Sequence, residues 1–117
     1  MSTGYHENGL SEKAKEIHRA LASLQEELEA VDWYNQRVDV SDDDGLRAIL
    51  EHNRNEEIEH AAMALEYLRR NFPEFDEHLR TYLFTSAPVT ELEEGEDDTG
   101  GSAEAGAGGD LGIGKVK

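Results

Sequence analysis

Glu27, Glu57 and His60 are the residues of this chain whose types and spacing could do chemistry. Glu57 and His60 stand three apart, as Glu-x-x-His, which puts both on one face of a helix. Two carboxylates and one imidazole form an oxygen-rich donor set. That set suits iron or manganese better than a metal that prefers thiolate, and it also admits zinc. A four-helix carboxylate site for a metal pair takes one Glu from each of two helices and a Glu-x-x-His from each of two others. This chain supplies one of each kind on two long helices, so it carries half of such a site. Two copies would complete it.

The elements that must position these residues can be read from caps and periodicity. Ser11 is an N-cap, with Glu12 and Glu16 in the first turns, where the helix dipole favours acids. The first helix then runs to about Val38. Ile17, Leu21, Leu24, Leu28 and Val31 form its apolar seam. Ser41 to Gly45 is a turn and a new cap, with Asp42, Asp43 and Asp44 opening a second helix that runs to about Asn71. Leu46, Leu50, Ala61, Ala64, Leu65 and Leu68 face its core side. Pro73 ends it and starts a third, shorter helix, on which Phe75, Leu79, Tyr82 and Leu83 give an apolar side. In an antiparallel hairpin, residues equidistant from the turn lie opposite each other. The midpoint of 27 and 57 is residue 42, inside the turn, so both lie about 15 residues, or roughly 22 Å, from it.

Position gives the three residues their weight, because a chain with 18 Glu and five His yields about one Glu-x-x-His by chance. Glu27 falls in the row Ala20, Leu24, Glu27, Val31, Tyr34. Glu57 and His60 fall in the row Leu46, Leu50, Asn53, Glu57, His60, Ala64. Ionisable groups on otherwise apolar rows are costly unless a cation or charged partner meets them. The residues alone leave open a plainer reading, in which Arg37, Arg47 and Arg54 pair with an acidic seam. Glu26 and Glu29, spaced i,i+3 beside Glu27, could attract divalent ions towards the site or form a solvated face. Tyr34 lies two turns on along the Glu27 row, within reach of a hydrogen bond to a ligand. Trp33 has the spacing of a core or interface aromatic. His18, His52 and His78 have no partner at ligand spacing, and Asp32 is most simply a surface residue.

Composition narrows the partners. The chain has 117 residues and a formal net charge of −16, from 11 Lys+Arg against 27 Asp+Glu. Residues 1–86 carry nine basic and 19 acidic side chains, so the acidity is not confined to a tail. Nucleic acid and anionic membrane surfaces are unsuitable partners. Without cysteine, disulfides and thiolate metal sites are excluded. No apolar run approaches the ~20 residues of a membrane span and no signal-peptide pattern opens the sequence, so a cytoplasmic location is expected. Residues 1–10 read as a disordered N-terminus and 11–86 as the helical domain. Residues 87–109, acidic and then glycine-rich, read as a disordered linker. Residues 110–117 return to alternating apolar residues with a basic end. Two long helices and one short one cannot enclose a substantial core, so self-association is expected whether or not a metal binds.

The segment from Leu24 to Tyr34, LQEELEAVDWY, resembles the first helix of the encapsulated ferritins. The segment from His52 to Met63, HNRNEEIEHAAM, resembles their second. The stretch from Glu77 to Phe84, EHLRTYLF, is similar to the end of their folded part. The likeness covers about residues 11–86; Ile58 departs from it, standing where a charged residue is usual. The resemblance implies an all-α fold: an antiparallel two-helix hairpin plus a short C-terminal helix, dimerising into a ferritin-like four-helix bundle, with five dimers in a ring. It implies a ferroxidase, with Glu27, Glu57 and His60 as ligands of a di-iron centre, Glu26 and Glu29 as carboxylates on the access route for a secondary divalent cation, and Tyr34 and Trp33 beside the centre. Leu111-Gly112-Ile113-Gly114 resembles the targeting peptide that docks cargo inside encapsulin shells. Lys115, Val116 and Lys117 stand where a small residue, leucine and arginine are usual. Flexible linkers give such peptides reach, and alternate apolar side chains give them pockets to fill. Location inside an encapsulin nanocompartment follows. A non-catalytic acidic cargo adaptor and a redox-silent zinc or manganese protein are the competing functions.

Overall fold

The structure, a computed structural model, describes residues 4–93. The expected 87–109 linker lies outside these residues from position 94 on, as does all of the 110–117 segment. Helix α1 spans Glu12–Val40, α2 spans Asp44–Asn71 and α3 spans Pro73–Tyr82. Residues 89–93 are again helical. The all-helical architecture is the one the sequence led us to expect.

Each long helix starts where a side chain satisfies an otherwise unpaired N–H. The Ser11 hydroxyl accepts from the Ala14 N–H at 3.0 Å, and the Asp43 carboxylate accepts from the Leu46 N–H at 2.8 Å. Helix α1 ends two residues later than its apolar seam suggests. A backbone bond closes it, from the Ser41 N–H to the Arg37 carbonyl at 3.0 Å. Arg47 then reaches back from α2 and donates to the Ser41 carbonyl, tying the turn to the helix it leads into. At the far end of α2, Glu66 accepts from Arg69 at 2.8 Å and from Arg70 at 2.6 Å. Those two guanidiniums hold its carboxyl down to about 2 and lie where the helix dipole favours positive charge.

Helices α1 and α2 pack antiparallel. Arg54 donates to Asn35 across them at 3.0 Å, and His60 faces Glu27 at 3.6 Å. Midpoints of these two pairs fall between residues 43 and 45, at the start of α2, as an antiparallel hairpin requires. A single neighbour covers only part of each helix's apolar arc. Among the described residues only Ala61 and Leu68 are buried, at 8% and 0% exposure. Leu28 and Leu46, expected on core-facing sides, are 54% and 49% exposed. Along α2 the positions Leu46, Ile49, Asn53, Glu56, His60, Met63 and Tyr67 repeat at alternating spacings of three and four, the pattern of a helix–helix seam. Leu46, Ile49, Met63 and Tyr67, at the two ends of this seam, are exposed.

Helix α3 belongs to a second unit that begins at Glu74. Phe75, Leu79 and Tyr82 are half-buried, while Leu83 is exposed. The helix is closed by the Leu83 N–H on the Leu79 carbonyl at 2.9 Å, and the Thr85 hydroxyl donates to the Tyr82 carbonyl at 2.8 Å. The chain leaves through Phe84 in the left-handed region, with φ 60°.

Candidate metal centre

Halfway along the hairpin, α1 presents Glu27 to the face of α2 that carries Glu57 and His60. One ligand atom from each residue can be chosen so that all lie within 4.8 Å of one another. The Nδ1 of His60 is 3.5 Å from Glu57 Oε1 and 3.6 Å from Glu27 Oε1. The three side chains are neither sealed off nor fully solvated; Glu27 and Glu57 are 28% and 26% exposed, and His60 43%. A cluster with this exposure lies at the edge of the single hairpin, open on one side.

The arginines that could have neutralised the acids are engaged elsewhere. Arg37 lies over the Tyr34 ring at 5.2 Å, Arg47 bonds the turn, and Arg54 holds Asn35 and Glu51. The Glu27 carboxyl is raised above its ordinary range, first through a hydrogen bond shared with Glu57, then by burial and by the Glu57 charge; His60 opposes this only in part. Two carboxyls and an imidazole brought this close could together take a divalent cation. The donor set fits a hard or borderline divalent ion with coordination positions to spare.

The raised carboxyl gives a prediction. A group whose folded-state value is raised contributes stability below its unfolded value, 4.5, and loses it as pH rises through the folded value. At neutral pH the metal-free protein therefore carries a like-charge penalty at this pair. Glu27→Gln should raise the metal-free Tm at pH 7 and flatten its rise towards pH 5. If the cluster binds metal, added metal should stabilise the parent protein and not Glu27→Gln. Thermal melts across pH with and without metal check all three; an unchanged pH profile would contradict the assignment.

The other site candidates occupy the same stretch of α1 without joining the cluster. Glu26 is exposed and Glu29 part-exposed. Tyr34 is part-exposed against Arg37, and Trp33 is 51% exposed. His18 meets the Tyr5 ring at 4.8 Å, and Asp32 accepts from Gln36 at 3.2 Å. Sequence reasoning passed over one neighbour. Glu56 Oε1 lies 3.9 Å from His60 Nε2, and its Oε2 lies 4.0 Å from His52 Nε2. The i,i+4 spacing of His52, Glu56 and His60 was the available signal.

Comparison with known proteins adds a family to this geometry. The sequence profile of the family described as EncFtn-like matches residues 3–86. A ferritin-like protein of Thermotoga maritima is 57% identical over 118 residues, covering 99% of this chain and 100% of its own length. An encapsulated ferritin-like protein of Rhodospirillum rubrum is 56% identical over 115 residues, covering 92% of this chain and 82% of its own. An encapsulin nanocompartment cargo protein of Myxococcus xanthus, EncC, is 36% identical over 58 residues, half of this chain and 45% of its own length. A crystal structure of a Nitrosomonas europaea protein superposes with a TM-score of 0.71 at 57% identity, covering 74% of this chain and 97% of that one.

Proposed function

The chain belongs to the EncFtn-like family of encapsulated ferritins, and from that membership we propose that it is a ferroxidase whose substrate iron is held between two copies of the chain. The observation that carries this reading is the meeting of Glu27, Glu57 and His60 at the open edge of the hairpin. Three donors on one side leave an ion half-coordinated, and a second copy offers three more. In the proposed centre Glu57 and His60 of each copy hold one Fe(II), and the two Glu27 carboxylates are shared between the ions. Dioxygen is the electron acceptor, and Fe(III) leaves for mineralisation. The protein contributes ligand positions, negative charge that offsets the ions, and room for an oxidant. Tyr34 is assigned beside the centre, and Glu26 and Glu29 to the approach of divalent ions.

The α2 seam supports the shared centre. Its two ends are apolar and unpartnered, and its middle holds Glu56 and His60. A second copy laid along it would cover the apolar ends and close the polar middle, completing a four-helix bundle. Assembly of such dimers into a ring of five follows from the family resemblance. Loading into an encapsulin shell is supported by the names of the Rhodospirillum and Myxococcus relatives, and residues 110–117 are the segment proposed to carry it. The match to the Thermotoga protein, over 99% of this chain, also reaches into that segment. No helix among the described residues is long and apolar enough to cross a membrane.

An anaerobic Fe(II) titration with mass measured before and after metal, followed by air, tests the proposal. We expect one iron per chain in an even-numbered oligomer and rapid oxidation on admitting air. Oxidation no faster than buffer would leave an acidic helical cargo protein. Stoichiometric binding without oxidation would leave a redox-silent metal protein.

A further inference from the structure

His60 turns both of its ring nitrogens towards carboxylates. Nδ1 faces Glu27 and Glu57 at 3.6 and 3.5 Å, and Nε2 faces Glu56 Oε1 at 3.9 Å. A metal gathered by Glu27 and Glu57 is met by the nitrogen on their side, Nδ1. That nitrogen must give its lone pair to the metal, so the ring keeps its proton on Nε2. The carboxylate in front of that proton is Glu56. Metal-binding imidazoles generally donate their second N–H to a carboxylate, carbonyl or water, which sets the tautomer and ring plane.

We infer that Glu56 is a positioning residue of the centre, accepting the Nε2–H of His60 and so holding Nδ1 towards the metal. The inference rests on the metal-centre reading of Glu27, Glu57 and His60. Three observations carry it. Glu56 stands one helical turn before His60 on the same helix, so the pair keeps its register in any assembly of hairpins. Its other oxygen lies 4.0 Å from His52 Nε2, so the carboxylate sits between two imidazoles, one oxygen towards each. It also falls on the α2 seam beside His60, where a second copy would exclude water and strengthen the contact. At 3.9 Å the pair is not yet a hydrogen bond. A half-exposed Glu side chain closes the remaining distance by changing torsions once the ring is fixed by metal.

The test uses the full chain and Zn(II), a diamagnetic probe, with Glu56→Ala as the variant. Circular dichroism checks that the helices persist. Zinc affinity is expected to fall about tenfold, the lower end of the range for losing an outer partner. In the zinc-loaded parent, the His60 Nε2–H proton should resonate downfield and exchange slowly; in Glu56→Ala it should move upfield and exchange fast. A general charge effect would lower affinity and leave that resonance where it was, and this result would overturn the inference. Unchanged affinity would overturn it as well. If zinc leaves the His60 Nδ1 resonance unmoved in the parent protein, the metal-centre reading itself fails, and the Glu56 inference falls with it.

Discussion

Fe(II) oxidation should drop to the rate of buffer alone when Glu57 or His60 is replaced by alanine, while the far-ultraviolet circular dichroism stays that of the parent. Each substitution removes one donor from every chain, and therefore two from any centre built by a pair of chains. Glu57→Ala also leaves Glu27 without its carboxyl partner, and His60→Ala removes the only nitrogen of the cluster. Neither change opens the hairpin. Both side chains are a quarter or more exposed, and alanine is the best helix former at these mid-helix positions. Removing Glu57 additionally takes away the shared hydrogen bond and the neighbouring charge that raise Glu27. The metal-free variant should thus be at least as stable as its parent. Stopped-flow absorbance after aerobic mixing measures the rate, and thermal melts measure stability. Normal oxidation by either variant would remove the cluster from the mechanism.

Deleting residues 110–117 is the second large effect. Iron oxidation by the truncated chain should match that of the full chain, while co-purification with a co-expressed encapsulin shell should disappear. The proposed centre of Glu27, Glu57 and His60 lies wholly within the hairpin, so the deletion leaves it untouched. Loading should depend on Leu111, Ile113 and Val116, the apolar side chains of this segment that could enter pockets of a shell. Shell loading undiminished by the deletion would sink the targeting role and leave the ferroxidase proposal standing.

Much of this arrangement was legible in the residues because it is local. Ser11, the aspartates of the turn and Pro73 are punctuation whose meaning comes from one or two unsatisfied backbone groups, and the helices begin where those groups are met. The level of Glu27 against Glu57 follows from the rise of a helix and the place of the turn. Two things were not legible. Periodicity assigns a residue to a side of a helix without saying what lies against that side, so which seam residues stay exposed in the single chain, Leu28 and Leu46 among them, could not be read from it. The role of Glu56 was hidden for a different reason. An acid four residues before a histidine is commonplace in a chain with 18 Glu. The i,i+4 spacing to both His52 and His60 hints at this acid, but the orientation of the His60 ring, which a sequence does not carry, is what separates it from the rest.

The sparse burial within the hairpin has a consequence for gene dosage. With Ala61 and Leu68 the only buried residues among those described, the proposed pairing would supply much of the apolar burial that stabilises this chain. Stability is then a function of protomer concentration. The number of working centres rises with the square of chain abundance while pairing is incomplete, and only linearly once it is complete. Under the proposed function, a cell making few copies would hold acidic helical chains with little oxidising capacity. One that concentrates the same number in a small volume would switch that capacity on without making any more protein.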